Sequence, residues 1–178
     1  MNYFEVFGLP KRLSLDQKEL ERTFHELSRK YHPDYFTNAP TEDRQRALQM
    51  TATLNDAYRT LRHPVRRVEH LLGIEGFKPD GSKVPKSFLM EVFEINEQLE
   101  EVKSGAAGKD QIEGLRREIE GRARGFESQL QAASAEWDKL EASGPSETQR
   151  KQHLSRLTEI LSESSYIRNL QRELEEKS

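Results

Sequence analysis

The chain has 178 residues, 34% of them hydrophobic and 33% charged, with a formal net charge of −3. That length suffices for one domain of ordinary core size or two small ones, and the charge-rich, glycine-poor composition points to an all-α protein with solvated outer faces. There is no cysteine, which excludes disulfides, a thiol nucleophile and thiolate-held zinc or iron–sulfur sites in this chain, and the near-balanced charge supplies no global field for nucleic acid or an anionic membrane.

The two halves differ slightly. Residues 1–75 carry 12 Lys and Arg against 11 Asp and Glu, whereas residues 76–178 carry 16 against 20. No apolar run approaches the roughly 18 residues of a bilayer-spanning helix. The N-terminal stretch MNYFEVFGLP has neither the basic and apolar regions of a secretory signal nor the Arg and Ser richness of a transit peptide. A cytoplasmic protein of bacterial type is the expectation.

Seven prolines, at positions 10, 33, 40, 64, 79, 85 and 145, each fall where a helix should begin or end, and seven helices are predicted between them. The first is short, from about Tyr3 to Gly8, and offers Tyr3, Phe4 and Phe7 to a core. The second starts at Asp16, which can cap it while Glu19 caps back from three residues on, and Leu15 and Leu20 flank that capping box as a hydrophobic staple. Its apolar stripe is Leu20, Phe24, Leu27 and Tyr31. The third runs from Thr41 to Arg62 and should bury Ala47, Met50, Leu54, Ala57, Tyr58 and Leu61. The fourth opens on Pro64, carries Val65, Val68, Leu71 and Leu72, and should end at Gly73.

The segment GFKPDGSKVP has the Gly, Pro and Asp density of a connector. It divides the chain into an N-terminal domain over 1–75, a linker over 76–85 and a C-terminal domain over 86–178. Three longer helices are expected beyond it: Ser87 to Lys103, Asp110 to Ala142, and one capped by Ser146 and Gln149 that runs to about Glu175. Short Ser/Gly loops between amphipathic helices make an antiparallel three-helix bundle. Gly114, Gly121 and Gly125 each weaken the middle helix by about 1 kcal/mol relative to Ala, and close helix packing is the simplest reason for them.

Two surfaces are left over. At 100° per residue, Lys18, Arg22, His25 and Arg29 form a basic stripe about 140–200° from Leu20 on the second helix. The stripe leads to the corner His32-Pro33-Asp34, where proline fixes the backbone. It is either an ordinary solvated face with a turn at its end, or a docking ridge for an acidic partner with long-range, salt-sensitive attraction. On the fifth helix, Phe88, Val92, Ile95, Leu99 and Val102 share the core face, while Leu89, Met90 and Phe93 point elsewhere among Glu94, Glu97 and Glu101. They either pack under the N-terminal domain or linker, or form a partner footprint with an apolar centre and a charged rim.

YHPD between two such helices, after a short YFxxFGL helix, resembles a J domain, the module that activates ATP hydrolysis in DnaK-type chaperones. YFEVFGLP, YHPDYF, LNDAYRTLRHPVRRVEHLL and SFLMEVFEINEQLEEV, in that order, together resemble the HscB-type co-chaperones of iron–sulfur cluster assembly. The likeness is densest over residues 1–103 and weak in the last two helices. It implies that His32, Pro33 and Asp34, with Lys18, Arg22, His25 and Arg29, engage an HscA/DnaK-type ATPase chaperone. It also implies that Leu89, Met90, Phe93, Glu94, Glu97 and Glu101 hold the iron–sulfur scaffold protein IscU, with Leu157 a further position in a weaker register.

The sequence departs from that pattern in places. Tyr35 stands where many J domains have Lys, and Glu26 lies at the margin of the basic face. The N-terminal cysteine zinc module of many eukaryotic relatives is absent, so no metal or cofactor of the chain's own is expected.

An enzyme is not expected. GRARG at 121–125 lies inside a periodic helix and follows no strand, so it is no phosphate loop. A metal set of His25, His32 and Asp34 would sit beside a basic stripe that repels cations. The alternative is a general J-protein whose C-terminal bundle binds another client or dimerises. Neither nucleic acid nor a membrane is an expected partner.

Overall fold

The computed structural model describes residues 1–77 and 85–177. Most of the expected linker, residues 78–84, lies outside the described residues, as does Ser178. The chain divides into two compact units, Met1–Gly76 and Phe77–Ser178. Eight α-helices and one 3₁₀ turn occur among the described residues, joined by loops. None of these helices is long and apolar enough to cross a membrane.

In the N-terminal unit, α1 (Tyr3–Val6) is a single turn whose Phe4 is fully buried. Helix α2 (Gln17–Lys30) begins where the Asp16 carboxylate accepts the backbone N–H groups of Lys18 (2.8 Å) and Glu19 (3.2 Å). Such a cap satisfies donors that have no carbonyl one turn earlier. A 3₁₀ turn, Pro33–Phe36, leads to α3 (Thr41–Leu61). α2 and α3 pack as a hairpin, with Phe24 stacked on Tyr58 at 4.3 Å. Leu20, Leu54, Ala57 and Leu61 are sealed in its core; Phe24, Leu27, Tyr31, Met50 and Tyr58 are only half-buried. Each fully buried leucine contributes about 1.5–3 kcal/mol of transfer free energy.

Helix α4 (Pro64–Ile74) starts on its proline, as the sequence predicts, and buries Val68, Leu71 and Leu72. It continues past Gly73, and the left-handed residue that follows its end is Gly76, at φ +77°. Its Arg67 is buried and donates to the Leu61 carbonyl at 2.5 Å and to the Leu13 carbonyl. A guanidinium thus serves the carbonyl-rich C-terminus of α3, where cations are favoured.

The C-terminal unit differs from the expectation at its first helix. Instead of one helix over Ser87–Lys103 there are two, α5 (Lys86–Glu91) and α6 (Phe93–Lys103), broken at Val92 with ψ 3°. Two side chains serve the carbonyls at the break. Arg122 of the next helix donates to the Glu91 carbonyl at 3.4 Å, and the Asn96 amide donates to the Val92 carbonyl at 2.8 Å. The Asn96 backbone N–H also reaches the Val92 carbonyl, at 3.0 Å, so it is Arg122, serving the Glu91 carbonyl, that enters the helical ladder, a recognised cause of such breaks.

Helices α7 (Lys109–Ala142) and α8 (Glu147–Lys177) pair along their length and pack on α6. Gly144, at φ +69°, reverses the chain between them, and the predicted capping box is present: Gln149 Oε1 accepts the Ser146 N–H at 2.9 Å, and Ser146 Oγ accepts the Gln149 N–H at 3.3 Å. Phe88, Val92, Ile95, Leu99 and Val102 face the core with Leu115, Ile119, Trp137, Leu157 and Ile167.

Two sequence expectations fail here. Leu157 is fully buried in the bundle, so it cannot be part of a partner footprint; its spacing belongs to the core stripe of α8. Gly114, Gly121 and Gly125 are not required by close packing either, since a Cβ built at each meets nothing within 4 Å. Nothing in the structure explains these three glycines.

Candidate functional site

The corner after α2 is built from short-range bonds. Tyr31 ends the helix, and His32 takes an extended conformation (φ −62°, ψ 129°). Its Nδ1 accepts the Asp34 N–H at 3.3 Å, so the imidazole caps the 3₁₀ turn while Pro33 fills its first position. The His32 carbonyl accepts the Tyr35 N–H at 3.1 Å, and the Thr37 hydroxyl donates to the Asp34 carbonyl at 2.8 Å. The result is a compact turn with its functional side chains outside. The Asp34 carboxylate lies 3.5 Å from His32 Nδ1 and is 85% exposed.

Lys18, Arg22, His25 and Arg29 all stand on the exposed face of α2. Glu19 approaches Arg22 and Glu21 approaches His25, both at 3.9 Å, contacts of little energetic weight at such exposure. A shallow concavity of about 360 Å³ joins the end of this stripe to the corner, lined by Ser28, Arg29, His32, Asp34 and Tyr35. The structure therefore brings Arg29 together with His32 and Asp34, while Lys18, Arg22 and His25 extend away along the helix.

In the C-terminal unit, Leu89, Met90 and Phe93 are 42%, 80% and 59% exposed. They straddle the break at Val92, and Glu94, Glu97 and Glu101 are exposed around them. Spacing alone did not reveal a further group. Glu163 of α8 has its carboxyl pushed above the usual carboxylate range, first by burial and then by the charges of Glu159 and Glu91. The acidic surroundings of the α5 end thus reach α8, a register that no local pattern in the sequence encodes. Arg122 lies 3.7 Å from Glu91 and 3.5 Å from Glu118, which offsets part of that charge.

Residues 2–70 match the DnaJ domain family, and the helical hairpin with its exposed His-Pro-Asp corner makes this a J-domain protein. Residues 84–175 match a second family, the HSCB C-terminal oligomerisation domain. The co-chaperone protein HscB homolog of Vibrio cholerae is 38% identical over 142 residues, covering 77% of this chain and 83% of that protein. The structure of chaperone HscB from Vibrio cholerae aligns with a TM-score of 0.65 at 32% identity, over 99% of this chain and 96% of that one. Human co-chaperone protein HscB shares the fold, with a TM-score of 0.71 at 22% identity over 99% of this chain and 82% of the human one. The chain belongs to the HscB family of J-domain co-chaperones. Its J domain implies a chaperone of the Hsp70 type as partner.

Proposed function

We propose that this co-chaperone is an adaptor with two docking surfaces, one on each unit. His32, Pro33 and Asp34, with the stripe of Lys18, Arg22, His25 and Arg29, dock on an HscA/DnaK-type chaperone and stimulate its ATPase. Leu89, Met90 and Phe93, with Glu94, Glu97 and Glu101, carry the iron–sulfur scaffold protein IscU to the same chaperone and so promote cluster transfer. One observation carries the reading: large apolar side chains stay exposed amid carboxylates on one unit while a preorganised, unburied corner stands on the other.

Each surface has a physical task. Proline and the His32 cap fix the corner before contact, which reduces the ordering cost of docking. The Asp34 carboxylate is free to meet an arginine of the chaperone, and the basic stripe steers an acidic surface towards it. Contacts made better in the hydrolysis-competent state shift the chaperone towards it. His32 supplies shape and hydrogen bonding. The apolar patch supplies contact area, and its carboxylate rim selects a basic partner. Holding both proteins on one chain makes their encounter effectively intramolecular.

The test is a titration of purified IscU into the chain plus an HscA-type chaperone, with ATP hydrolysis as the readout. Stimulation that rises with IscU supports the adaptor. Stimulation by the chain that IscU leaves unchanged would favour a general J-protein with another client. The description of the matched C-terminal family as an oligomerisation domain supports a second reading of the patch as a self-association surface. A mass that rises with concentration in light scattering, and falls on Phe93→Ser, would establish it.

A further inference from the structure

We propose that Thr51 is a positioning residue for the His32–Asp34 corner, a role that rests on the reading of that corner as the chaperone-docking site. Within itself the corner is well fixed: Asp34 N–H to His32 Nδ1, Tyr35 N–H to the His32 carbonyl, and Pro33 between them. These bonds set its shape but not its direction. Direction comes from how the end of α2 is tied to the opposite arm of the hairpin.

Thr51, in the middle of α3, makes that tie. Its hydroxyl lies 3.1 Å from the carbonyl oxygen of Tyr31, twenty positions away and immediately before His32. The same hydroxyl is 2.9 Å from the Ala47 carbonyl one turn back in its own helix. One proton serves two acceptors, and they differ in need. The Ala47 carbonyl lies inside α3, where the helical ladder already supplies a backbone N–H. The Tyr31 carbonyl sits at the C-terminus of α2, beyond the last N–H that the helix can offer. Removing the hydroxyl therefore costs the Tyr31 end more than the Ala47 end. The 3₁₀ turn also packs on α3, so the hairpin stays folded without the bond while the corner gains freedom of direction.

A partner that docks only on one direction of the corner then meets a smaller competent fraction, and its apparent affinity falls by that fraction. Once it is docked, His32 and Asp34 make the same contacts as before. Thr51→Val should raise the concentration of co-chaperone at half-maximal ATPase stimulation about three- to tenfold, the range of one neutral hydrogen bond, and leave the maximum in place. A residue that merely stabilised the fold would lower the unfolding midpoint and leave half-saturation unchanged at temperatures where both proteins are folded.

The experiment titrates the full chain, as wild type, Thr51→Val, Thr51→Ser and His32→Gln, against a purified HscA-type chaperone, with amide hydrogen exchange of Asp34 and Tyr35 measured in parallel. The expected result is a shifted half-saturation with an unchanged maximum and faster exchange at the corner for Thr51→Val. Recovery in Thr51→Ser, which restores the hydroxyl, should accompany it. Wild-type half-saturation in Thr51→Val while His32→Gln loses stimulation would overturn the role of Thr51 and leave the docking site standing. A Thr51→Ser variant as impaired as Thr51→Val would overturn the role of the hydroxyl. If wild type itself stimulates nothing, the docking reading falls and this proposal with it.

Discussion

His32 and Asp34 are joined within one turn by a single bond: the imidazole Nδ1 accepts the Asp34 backbone N–H at 3.3 Å, and the Asp34 carboxylate stands 3.5 Å from the same nitrogen without sharing a proton with it. With Nδ1 as the acceptor, a neutral ring carries its proton on Nε2. The histidine thus shapes the turn through one nitrogen and presents a donor through the other, while the carboxylate remains outside. This division explains why a polar, ionisable pair flanks a proline where many sequences would form a turn.

His32→Gln should therefore lower ATPase stimulation by about tenfold or more, the weight of losing hydrogen bonds to charged groups at a desolvated contact. Asp34→Asn should do the same through loss of charge. IscU affinity should be unchanged in both, because the patch lies on the other unit. Isothermal titration with IscU beside the ATPase assay checks the pair of outcomes. Joint loss of both functions would refute separate sites.

Leu89→Ala combined with Phe93→Ala addresses the second surface. Both side chains are substantially exposed in the free protein, so the unfolding midpoint should move little. Buried against a partner they would be central anchors, and truncating both should weaken IscU binding on the order of a hundredfold. Basal chaperone stimulation without IscU should survive. Unchanged IscU affinity in a pull-down or calorimeter would remove the patch from the reading.

Leu157→Ala separates core from interface. The side chain is fully buried in the bundle, and its removal should cost about 2–5 kcal/mol of stability, read by urea denaturation. IscU affinity measured well below the transition should match wild type. A loss of affinity without a loss of stability would restore Leu157 to a binding role and contradict its burial.

How far the sequence predicts this molecule depends on the reach of the interaction concerned. Asp16 at the start of α2 and the Ser146–Gln149 box at the start of α8 act over three residues, so their chemistry is written locally. The Phe88, Val92, Ile95, Leu99 and Val102 face follows from helical period alone, because one side of a bundle helix must be apolar. The break at Val92 was not legible, since the Arg122 that serves the Glu91 carbonyl comes from α7, 31 positions later. Leu157 was misread for a different reason: its spacing of three and four from Leu154 and Leu161 already puts it on the apolar stripe of α8, and the partner role came only from the resemblance. A weak similarity in the last helix carries no register and cannot outweigh that local pattern. The corner itself was legible, but its tie to Thr51 spans twenty residues of hairpin.

Gly114, Gly121 and Gly125 offer a gain in stability. All three lie in the interior of α7 with open space where a Cβ would stand. Alanine at each should stabilise the bundle by about 0.5–1 kcal/mol, through reduced freedom of the unfolded chain and better helix propensity. Thermal denaturation of the single and triple variants checks this. A fall in midpoint for any of them would show that its glycine has a packing role within the folded chain itself, against the open space seen at its Cβ position.

Acid should loosen the N-terminal unit. His70 Nε2 accepts the Tyr3 backbone N–H at 3.0 Å, and its ring stacks on Tyr3 at 4.4 Å, so α1 is held to α4 by a neutral imidazole. Burial, aided by the positive N-terminal ammonium, holds its pKa below the ordinary histidine value of 6.5. A protonated ring could not accept that bond. Because the folded state resists protonation, the unfolded state takes up the proton first as pH falls. The stabilisation is complete above pH 6.5, erodes below it, and is gone once pH has passed the lowered folded-state pKa. Residues 1–76 should therefore loosen on acidification, seen as faster hydrogen exchange at the buried Phe4 and Leu54 amides of the full chain at pH 5.5 than at pH 7.5 after correction for intrinsic rates. His70→Gln keeps an acceptor for the Tyr3 N–H without a titrating ring, so it should flatten this dependence. A His70→Gln protein with the full wild-type slope would place the acid sensitivity in other groups.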